Sequence, residues 1–322
     1  MNIFKLAKIL GFVLLLLIVG FFVYSNLFGA PQKEAEPERF IISLASDSGA
    51  AEQLKSEGFI KNSQIFSWVI GGNENIQKGA YKISKSMNAW EIKRVLQEGP
   101  YMKWVVIPEG LRKEEMAEIF AKELGWDNEK VNSFITKDTT LSSDYTEGVY
   151  FPDTYLIPLD ESSLQVADRL RSRFEEKFAP YLEESLKQNI RWFTLLRIAS
   201  IVQREAAGKD DMPLIAGILW NRLLSDMKID IDASLQYAKG TAENGWWAPI
   251  TPADKQLDSH FNTYKYKGLP PSPISNPGSS AIEAVLFPEE TDCIYYLHDN
   301  NRQIHCSKTY EEHQQNIEIY LK

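Results

Sequence analysis

The chain has 322 residues, of which 44% are hydrophobic, and this length suits one large or two modest globular domains. Its 44 acidic and 35 basic residues give a formal net charge of -9, which argues against nucleic acid as the main partner. The sequence contains no P-loop, no G-x-S-x-G elbow and no glycine-rich dinucleotide fingerprint, so it offers no signature of the enzyme classes that depend on them.

The first predicted element is a membrane-spanning helix. Lys5 and Lys8 precede an apolar run from Ile9 to about Ala30, and roughly 20 such residues span a bilayer. The leading lysines favour an inside N-terminus, with the rest of the chain outside the cytoplasm. The alternative is a cleaved signal peptide, but Phe28 fits the small-x-small cleavage pattern poorly. We therefore expect a cytoplasmic tail (1–8), an uncleaved anchor (9–30) and a charged linker (31–38).

Three segments after the linker share a β-prone run, a polar turn and an amphipathic helix. They cover Phe40 to about Glu57, Ala80 to about Glu98 and Trp104 to about Leu124, with Leu44 ending the first strand and Ser46 opening its turn. Such units resemble LysM modules, which bind N-acetylglucosamine polymers. They are equally compatible with ordinary α+β packing units that contact no sugar. We assign 39–126 to this LysM-like region and expect a long helix from about Leu164 to Leu186 after it.

Glu205 is the residue with the clearest chemical potential. At helical spacing, Ile198, Ile201, Val202 and Glu205 share one face of an apolar helix, so the carboxyl group continues a buried stripe. Gly208 predicts the helix end, which places Glu205 in the last turn. There the helix dipole and desolvation both raise the pKa of a carboxyl group, which suits a general acid. The commoner role of a Glu near a helix end is that of a solvated residue.

The histidines and cysteines predict neither a metal nor a cofactor site. None of the histidines lies near Glu205 in sequence, and H-E-x-x-H is absent. Cys293 and Cys306 flank a predicted hairpin. They can pair in an oxidising compartment if the turn register allows it, or equally remain free, half-buried thiols. The histidines are His260, His298, His305 and His313.

The second half carries several uncommon segments in one order. They are Glu147–Tyr155, Ile198–Glu205, Pro213–Leu223, Asp230–Ala238, Phe261–Tyr264, Lys267–Gly278, Tyr295–Leu297 and Glu311–Asn316. Together with the anchor and the three repeats, this set closely resembles the YceG-like endolytic murein transglycosylases. The resemblance implies an α+β protein with an N-terminal membrane anchor, a small LysM-like α/β region and a larger mixed α+β catalytic domain at 127–322.

The resemblance also implies a function. The family cleaves peptidoglycan strands internally at the MurNAc-GlcNAc bond, leaving 1,6-anhydroMurNAc ends, and uses one catalytic glutamate, here Glu205, without a cofactor. It works at the outer face of the bacterial cytoplasmic membrane in cell wall assembly, and its members associate with peptidoglycan synthases or elongation machinery. The expected partners are therefore peptidoglycan, that membrane and those proteins.

Other marked residues are expected to hold the glycan. Asp232 either accepts sugar hydroxyls or caps the helix that follows. Trp246 and Trp247 either stack on sugars or pack in the core, and the proline-rich segment from Gly268 to Gly278 either lines the cleft or is a structural crossover. The expected substrate-binding residues are Asn221, Arg222, Asp232, Gln236, Asn262, Tyr264 and Tyr150.

The chain departs from the family pattern at three places. Gln203 and Arg204 stand where members often have Glu and Lys, which leaves Glu205 as the only carboxylate on that turn. Asp230 replaces a frequent Gln, and Asp232-Ala233-Ser234 replaces a D-P-T. Two rival functions remain open. One is a non-catalytic peptidoglycan-binding scaffold of the envelope, and the other is a hydrolase that pairs Glu205 with Asp153 or Asp232.

Overall fold

The computed structural model of the chain describes residues 3–43, 47–71, 76–140 and 147–322. It divides into two compact units. The first contains the chain up to Trp104 together with Tyr155–Asp160, and the second contains Val105–Thr154 and Glu161–Lys322. Both units combine helices and strands, in agreement with the predicted α+β class. The LysM-like character of 39–126 and its predicted boundary stay predictions, because compactness alone tests neither.

Helix α1 (Ile3–Phe28) covers the predicted anchor (9–30) as far as Phe28. Its Lys8–Phe28 portion is 21 residues long, has a hydropathy of 2.4 and is not buried by the protein. A helix of this length and composition is compatible with a single membrane crossing. Its exposed apolar side chains would be costly in water, whereas lipid would cover them.

A four-stranded sheet organises the first unit. The strand order is β1-β2-β3-β4, and β1 and β2 are antiparallel with Phe40 opposite Tyr81. The buried side chains of β1, β2 and the helices beside them form one apolar core that includes Phe40, Ile42, Phe66 and Ile92. The elements are β1 (Glu38–Ile42), α2 (Asp47–Ser56), α3 (Ser63–Ile70), β2 (Gly79–Ile83), α4 (Ala89–Glu98), β3 (Met102–Val106) and β4 (Thr154–Pro158).

The predicted strand-turn-helix pattern is confirmed for the second and third segments, where β2 leads to α4 and β3 leads to α5 (Lys113–Leu124). Helix α4 begins where it does because Asn88 accepts from the backbone of Glu91 while the Glu91 carboxylate accepts from the Asn88 backbone. In the first segment β1 precedes α2, and the predicted positions of Leu44 and Ser46 lie outside the described residues. Helix α3 was not predicted; it spans only eight residues.

Helices dominate the second unit. Helix α7 (Ser163–Lys187) confirms the predicted long helix. Helix α11 (Ser279–Leu286) packs against α7, α8 (Trp192–Glu205) and α9 (Met212–Leu224). Leu195, Ile198, Ile215 and Ile282 are fully buried between them, which is where their apolar periodicity predicts a core. The elements that follow α5 are α6 (Asn128–Ser133), α7 (Ser163–Lys187), α8 (Trp192–Glu205), α9 (Met212–Leu224), α10 (Asp232–Lys239), α11 (Ser279–Leu286), β5 (Tyr295–His298), β6 (Ile304–Ser307) and α12 (Tyr310–Tyr320).

Strands β5 and β6 form an antiparallel hairpin in which Tyr296 lies opposite Cys306. Cys293 and Cys306 form a disulfide with their Cα atoms 5.8 Å apart, so the structure selects the paired alternative. Cys306 lies within β6 and Cys293 lies just before β5. The disulfide therefore fixes the start of β5 to its partner strand.

Candidate active site

Glu205 is the last residue of α8, and the apolar stripe before it is confirmed, since Ile198, Ile201 and Val202 are fully buried. The predicted position of Glu205 in the last turn is confirmed, although the helix ends at Glu205, before the predicted stop at Gly208. Ala206 already has extended backbone, and the N–H groups of Ala207 and Gly208 donate to the carboxylate of Asp211. This alternative partner for the backbone ends the helix early and leaves Glu205 at its edge.

The Glu205 carboxylate accepts two hydrogen bonds. The Tyr296 hydroxyl donates to Oε2 at 2.7 Å, and the Ala233 N–H donates to Oε1 at 3.4 Å. Burial raises the pKa of Glu205, and the nearby charge of Asp232 acts in the same direction. The two hydrogen bonds oppose this shift because they stabilise the charged form, but burial is the larger effect. Glu205 therefore holds its proton to a higher pH than an ordinary glutamate.

Glu205 opens onto a cavity of about 460 Å³ within the second unit. Polar and aromatic side chains from α9, the loop before α10, the segment around Lys255 and Tyr264, the β5 strand and α12 surround it. A cavity of this size and chemistry suits a polar ligand with hydroxyl and amide groups. The lining residues are Glu205, Arg222, Asp230, Ile231, Asp232, Lys255, Tyr264, Tyr295, Tyr296, Leu297, His298, Tyr310 and His313.

Strand β5 holds the end of α8 at two points. Alternate side chains of a strand share a face, so Tyr296 and His298 point the same way. Tyr296 reaches Glu205, and His298 Nε2 lies 2.7 Å from Oδ2 of Asp211. Because Asp211 also binds the backbone that follows Glu205, the strand braces both the carboxylate and the loop behind it.

Arg222 forms part of the cavity wall, as its predicted role in substrate binding requires. Its side chain is buried, donates to the Lys228 carbonyl at 3.0 Å and pairs with Asp230 at 2.8 Å. Its guanidinium also lies over the ring of Tyr295. Burial raises the pKa of Asp230, although the Arg222 charge opposes the shift. The pair brings a cation and an anion to the wall facing Glu205.

Asp232 and Tyr264 also line the cavity, and the Tyr264 hydroxyl donates to the Asp232 carboxylate. Burial and this carboxylate both raise the pKa of the Tyr264 phenol. The predicted capping role of Asp232 is wrong. Helix α10 begins at Asp232 itself, its cap residue is Ile231, and no side chain caps it. The carboxylate is turned toward the cavity instead.

Asn221 and Gln236, which were also predicted to bind substrate, lie outside the cavity lining. Asn221 donates to the carbonyls of Thr291 and Cys293, which ties α9 to the chain entering β5. Gln236 donates to the Trp247 carbonyl at 3.3 Å. Both amides therefore satisfy backbone groups of neighbouring segments, which is the commoner role of such side chains.

Tyr150 and Asn262, both predicted to bind substrate, are fully buried and lie outside the cavity lining. Tyr150 packs against Phe134 in an aromatic cluster. Asn262 donates to the carbonyls of Lys255 and Leu257 and accepts from the Tyr264 N–H. Asn262 therefore shapes the loop that presents Tyr264 to the cavity, without reaching the cavity itself.

The tryptophan pair and the proline-rich loop also have structural contacts. Arg204 lies 3.8 Å from the ring centroid of Trp247, and Arg112 lies over Trp246. In the loop, Asn276 is fully buried and accepts from the N–H groups of Gly148 and Tyr150. The structural-crossover alternative is therefore the one that the loop's buried residues support.

Tyr296, His298, Tyr295, His313 and Lys255 are cavity residues that sequence reasoning did not assign to the site. The marked segment Tyr295–Leu297 was the available signal, but its partner on α8 lies 91 residues earlier in the chain. Among the residues that the structure describes, no group of three or more His, Cys, Asp or Glu side chains is arranged to hold a metal ion. The chemistry available is proton transfer by Glu205 with polar groups around it.

Comparison with known proteins gives a consistent family. The model of the YceG-like family matches residues 42–319. A Bacillus subtilis (strain 168) protein named endolytic murein transglycosylase is 28% identical over 95% of this chain and 91% of its own length. A Streptococcus pneumoniae (strain D39) protein of the same name is 27% identical over 82% of this chain, which spans 54% of that relative.

A solved structure agrees with the sequence comparisons. The crystal structure of a YceG-like protein from Listeria monocytogenes matches with a TM-score of 0.57 and 30% identity, and the match covers 88% of this chain and 99% of that one. The resemblance expected from the ordered sequence segments is confirmed. With a family match over most of its length, the chain belongs to the YceG-like family.

Proposed function

We propose that this chain is an endolytic peptidoglycan lytic transglycosylase in which Glu205 is both the general acid and the general base. The observation that carries the proposal is the placement of Glu205 at the edge of a polar cavity with a raised pKa. The names of the Bacillus and Streptococcus relatives support the reaction class. A protonated carboxyl group in such a place can donate to a leaving glycosidic oxygen.

One carboxyl group is enough for this reaction because the nucleophile belongs to the substrate. Glu205 gives its proton to the glycosidic oxygen as the bond from that oxygen to C1 of the muramic acid breaks. The C6 hydroxyl of the same sugar then bonds to C1 and loses its proton to the Glu205 carboxylate. The product is the 1,6-anhydro ring, and Glu205 is protonated again for the next cycle.

The remaining cavity residues have positioning roles in this scheme. The C6 hydroxyl must be held close to C1, and such proximity can lower a barrier by several kcal/mol. Arg222, Asp232 and Tyr264 offer donors and acceptors from the wall around Glu205. Tyr296 keeps the carboxylate in one orientation by its hydrogen bond to Oε2. Filling of the cavity by the sugar excludes water, which would divert the reaction to hydrolysis.

The cellular setting follows from α1 and from the family resemblance. We infer that α1 crosses the bacterial cytoplasmic membrane once, with the N-terminus inside and both units outside, since Lys5 and Lys8 precede the apolar span. The LysM-like reading of 39–126 gives that segment a glycan-holding role. Peptidoglycan synthases or elongation proteins are the expected protein partners.

A two-carboxylate hydrolase is the second candidate, because Asp232 lines the same cavity as Glu205. Asp153 does not take part, since it pairs with Arg173 at 2.6 Å and lies outside the cavity lining. In the hydrolase, Asp232 would activate a water or attack the sugar. The raised pKa of Tyr264 beside Asp232 instead leaves this carboxylate engaged with a phenol proton.

Digestion of purified sacculi tests the proposal. The wild-type chain should release muropeptides with anhydro ends, and Glu205→Gln should lower the rate by at least ~10²–10⁴-fold while the protein stays folded. Gln203→Glu, two residues before Glu205 and outside the cavity lining, controls for the effect of a substitution on the same turn. Products that carry one additional water would identify the hydrolase, and absence of soluble fragments from the wild type would identify a scaffold.

A further inference from the structure

Three aromatic rings meet at the outer end of α1. Phe28, in the last turn of the helix, stacks on Trp90 with the ring centroids 6.1 Å apart and the planes 17° from parallel. It also contacts Trp68, at 6.4 Å, and stacks on Tyr24 of its own helix, at 5.2 Å. Trp68 lies on α3 and Trp90 lies on α4, so three separate helices of the first unit contribute to what we call the aromatic triad, Phe28, Trp68 and Trp90.

The two tryptophans are exposed to a degree that is unusual for their type. Trp68 is 70% exposed and Trp90 is 43% exposed, and both lie off the buried faces of their helices. Large exposed apolar side chains that cluster mark an interaction surface. Phe28 already covers one face of the Trp90 ring, so less of that ring is available for a sugar to stack on.

The end of α1 is fixed to this unit by polar contacts as well. The Lys61 ammonium donates to the Ser25 carbonyl at 2.9 Å, one turn before Phe28. After the helix, the Gln32 N–H donates to the Lys85 carbonyl, and the Ser84 hydroxyl donates to the Ala35 carbonyl. The short segment between α1 and β1 therefore holds the aromatic triad beside the point where the apolar span ends.

We propose that the aromatic triad seats the first unit on the headgroup region of the bilayer that α1 crosses. The inference rests on the membrane location proposed above. The span ends at Phe28, so the two tryptophans lie at the depth where the hydrocarbon gives way to headgroups. Indole rings prefer this region because they pair a broad apolar face with one N–H donor.

Charge fits the same partner. The Lys61 ammonium donates to the Ser25 carbonyl near the end of α1. The Lys93 ammonium donates to the carbonyl of Val69, the residue after Trp68. Cations beside an interfacial aromatic cluster favour anionic lipid headgroups. The seat would hold the first unit against the membrane surface, whereas a simple tether would let it move freely on the end of α1.

Quenching of tryptophan fluorescence by brominated lipids tests this seat. The full chain is placed in bilayers of phosphatidylethanolamine and phosphatidylglycerol that carry bromine near the headgroup end of the acyl chain. Trp68 and Trp90 are two of eight tryptophans, and we expect them to supply most of the quenched emission. Trp68→Phe/Trp90→Phe should then lose most of the quenching, while the matched pair Trp246→Phe/Trp247→Phe from the second unit should keep it.

The outcomes separate this inference from the proposed function. Unchanged quenching in the Trp68→Phe/Trp90→Phe protein, or no quenching in the wild type, would overturn the seat. If added glycan strands prevent the quenching of wild-type fluorescence by brominated lipid, the two tryptophans bind sugar, and this result would also overturn the seat. If alkaline carbonate releases the wild-type chain from the bilayer, α1 does not span the membrane, and both the anchor and the seat are overturned. Digestion of sacculi by the same preparations reports separately on catalysis.

Discussion

The Tyr296 hydroxyl donates a hydrogen bond of 2.7 Å to Oε2 of Glu205, joining a strand of the hairpin to the last residue of α8. This bond has two opposite consequences. It orients the carboxylate toward the cavity, and it lowers the pKa that burial has raised. Tyr296 therefore tunes the pH range in which Glu205 is protonated. Its own phenol has a strongly raised pKa, so it stays a donor throughout that range.

Tyr296→Phe should move the alkaline limb of the pH-rate profile upward. The variant loses a donor that favours the carboxylate, so the pKa of Glu205 rises further and the acid form persists to higher pH. A hydrogen bond to a charged group contributes about 1.5 kcal/mol or more, which corresponds to about one pH unit. The rate of anhydro-muropeptide release from sacculi, measured from pH 5 to 9, reports the shift. A limb that stays in place would show that Tyr296 does not act on Glu205.

Asp232→Asn should move the same limb in the opposite direction. The Asp232 charge raises the pKa of Glu205, so its removal makes Glu205 ionise at lower pH. The activity below that limb should survive within about tenfold, because Asn still offers an acceptor to the Tyr264 hydroxyl. A loss as deep as that of Glu205→Gln would instead support the two-carboxylate hydrolase, and product mass would then decide.

The stripe of α8 explains why Glu205 could be found from the sequence. A carboxyl group in phase with Ile198 and Ile201 has to follow them toward the interior, because helical periodicity is a local property. The cavity wall has no such local signal. Tyr296 and Glu205 are joined by tertiary packing alone, and the hairpin register that aims Tyr296 depends on a turn whose geometry the sequence leaves open.

The predicted substrate-binding residues that lie outside the cavity show what residue type alone cannot predict. Asn262 and Asn221 have side chains that suit sugar hydroxyls, but amides suit backbone carbonyls equally well, and both bind carbonyls here. Tyr150 has a broad ring that suits a sugar face and suits an aromatic core just as well. Residue type alone does not separate these uses, because burial decides between them.

Reduction of the Cys293–Cys306 disulfide should weaken both stability and activity. The bond closes a loop with a sequence separation of 13, and loops of about that size gain about 3 kcal/mol from the cross-link in the chain-entropy account. Strand β5 carries Tyr296 and His298, so a loosened hairpin also loosens the brace on Glu205. Dithiothreitol should lower the denaturation midpoint and the sacculus-digestion rate of the wild type. A Cys293→Ser/Cys306→Ser protein, already weakened, should ignore the reductant; equal midpoints for all samples would contradict the role.

Glu147 is a buried acid away from the cavity. It is fully buried, accepts from the Lys113 N–H at 3.0 and 3.2 Å, and accepts from the Asn276 amide at 2.6 Å. Burial raises its pKa from 4.5 to about 8, with the Glu114 charge adding to the shift and the Lys113 N–H opposing it. Its folded form thus holds a proton at pH values where the unfolded chain has lost it.

Glu147→Gln should therefore flatten the pH dependence of stability. In the wild type, the stabilisation from the retained proton is complete below about pH 4.5 and is lost as the pH rises to about 8, because the unfolded chain binds fewer protons in that window. Gln resembles the protonated acid and does not titrate. The other carboxylates are common to both proteins, so their contributions to the pH dependence of stability cancel in the comparison. Denaturant titrations at pH 5 and pH 8 should show the wild type losing on the order of a few kcal/mol more than the variant between these values. If both proteins lose the same amount of stability between pH 5 and pH 8, Glu147 is already ionised in the folded state at pH 5, which would contradict the prediction.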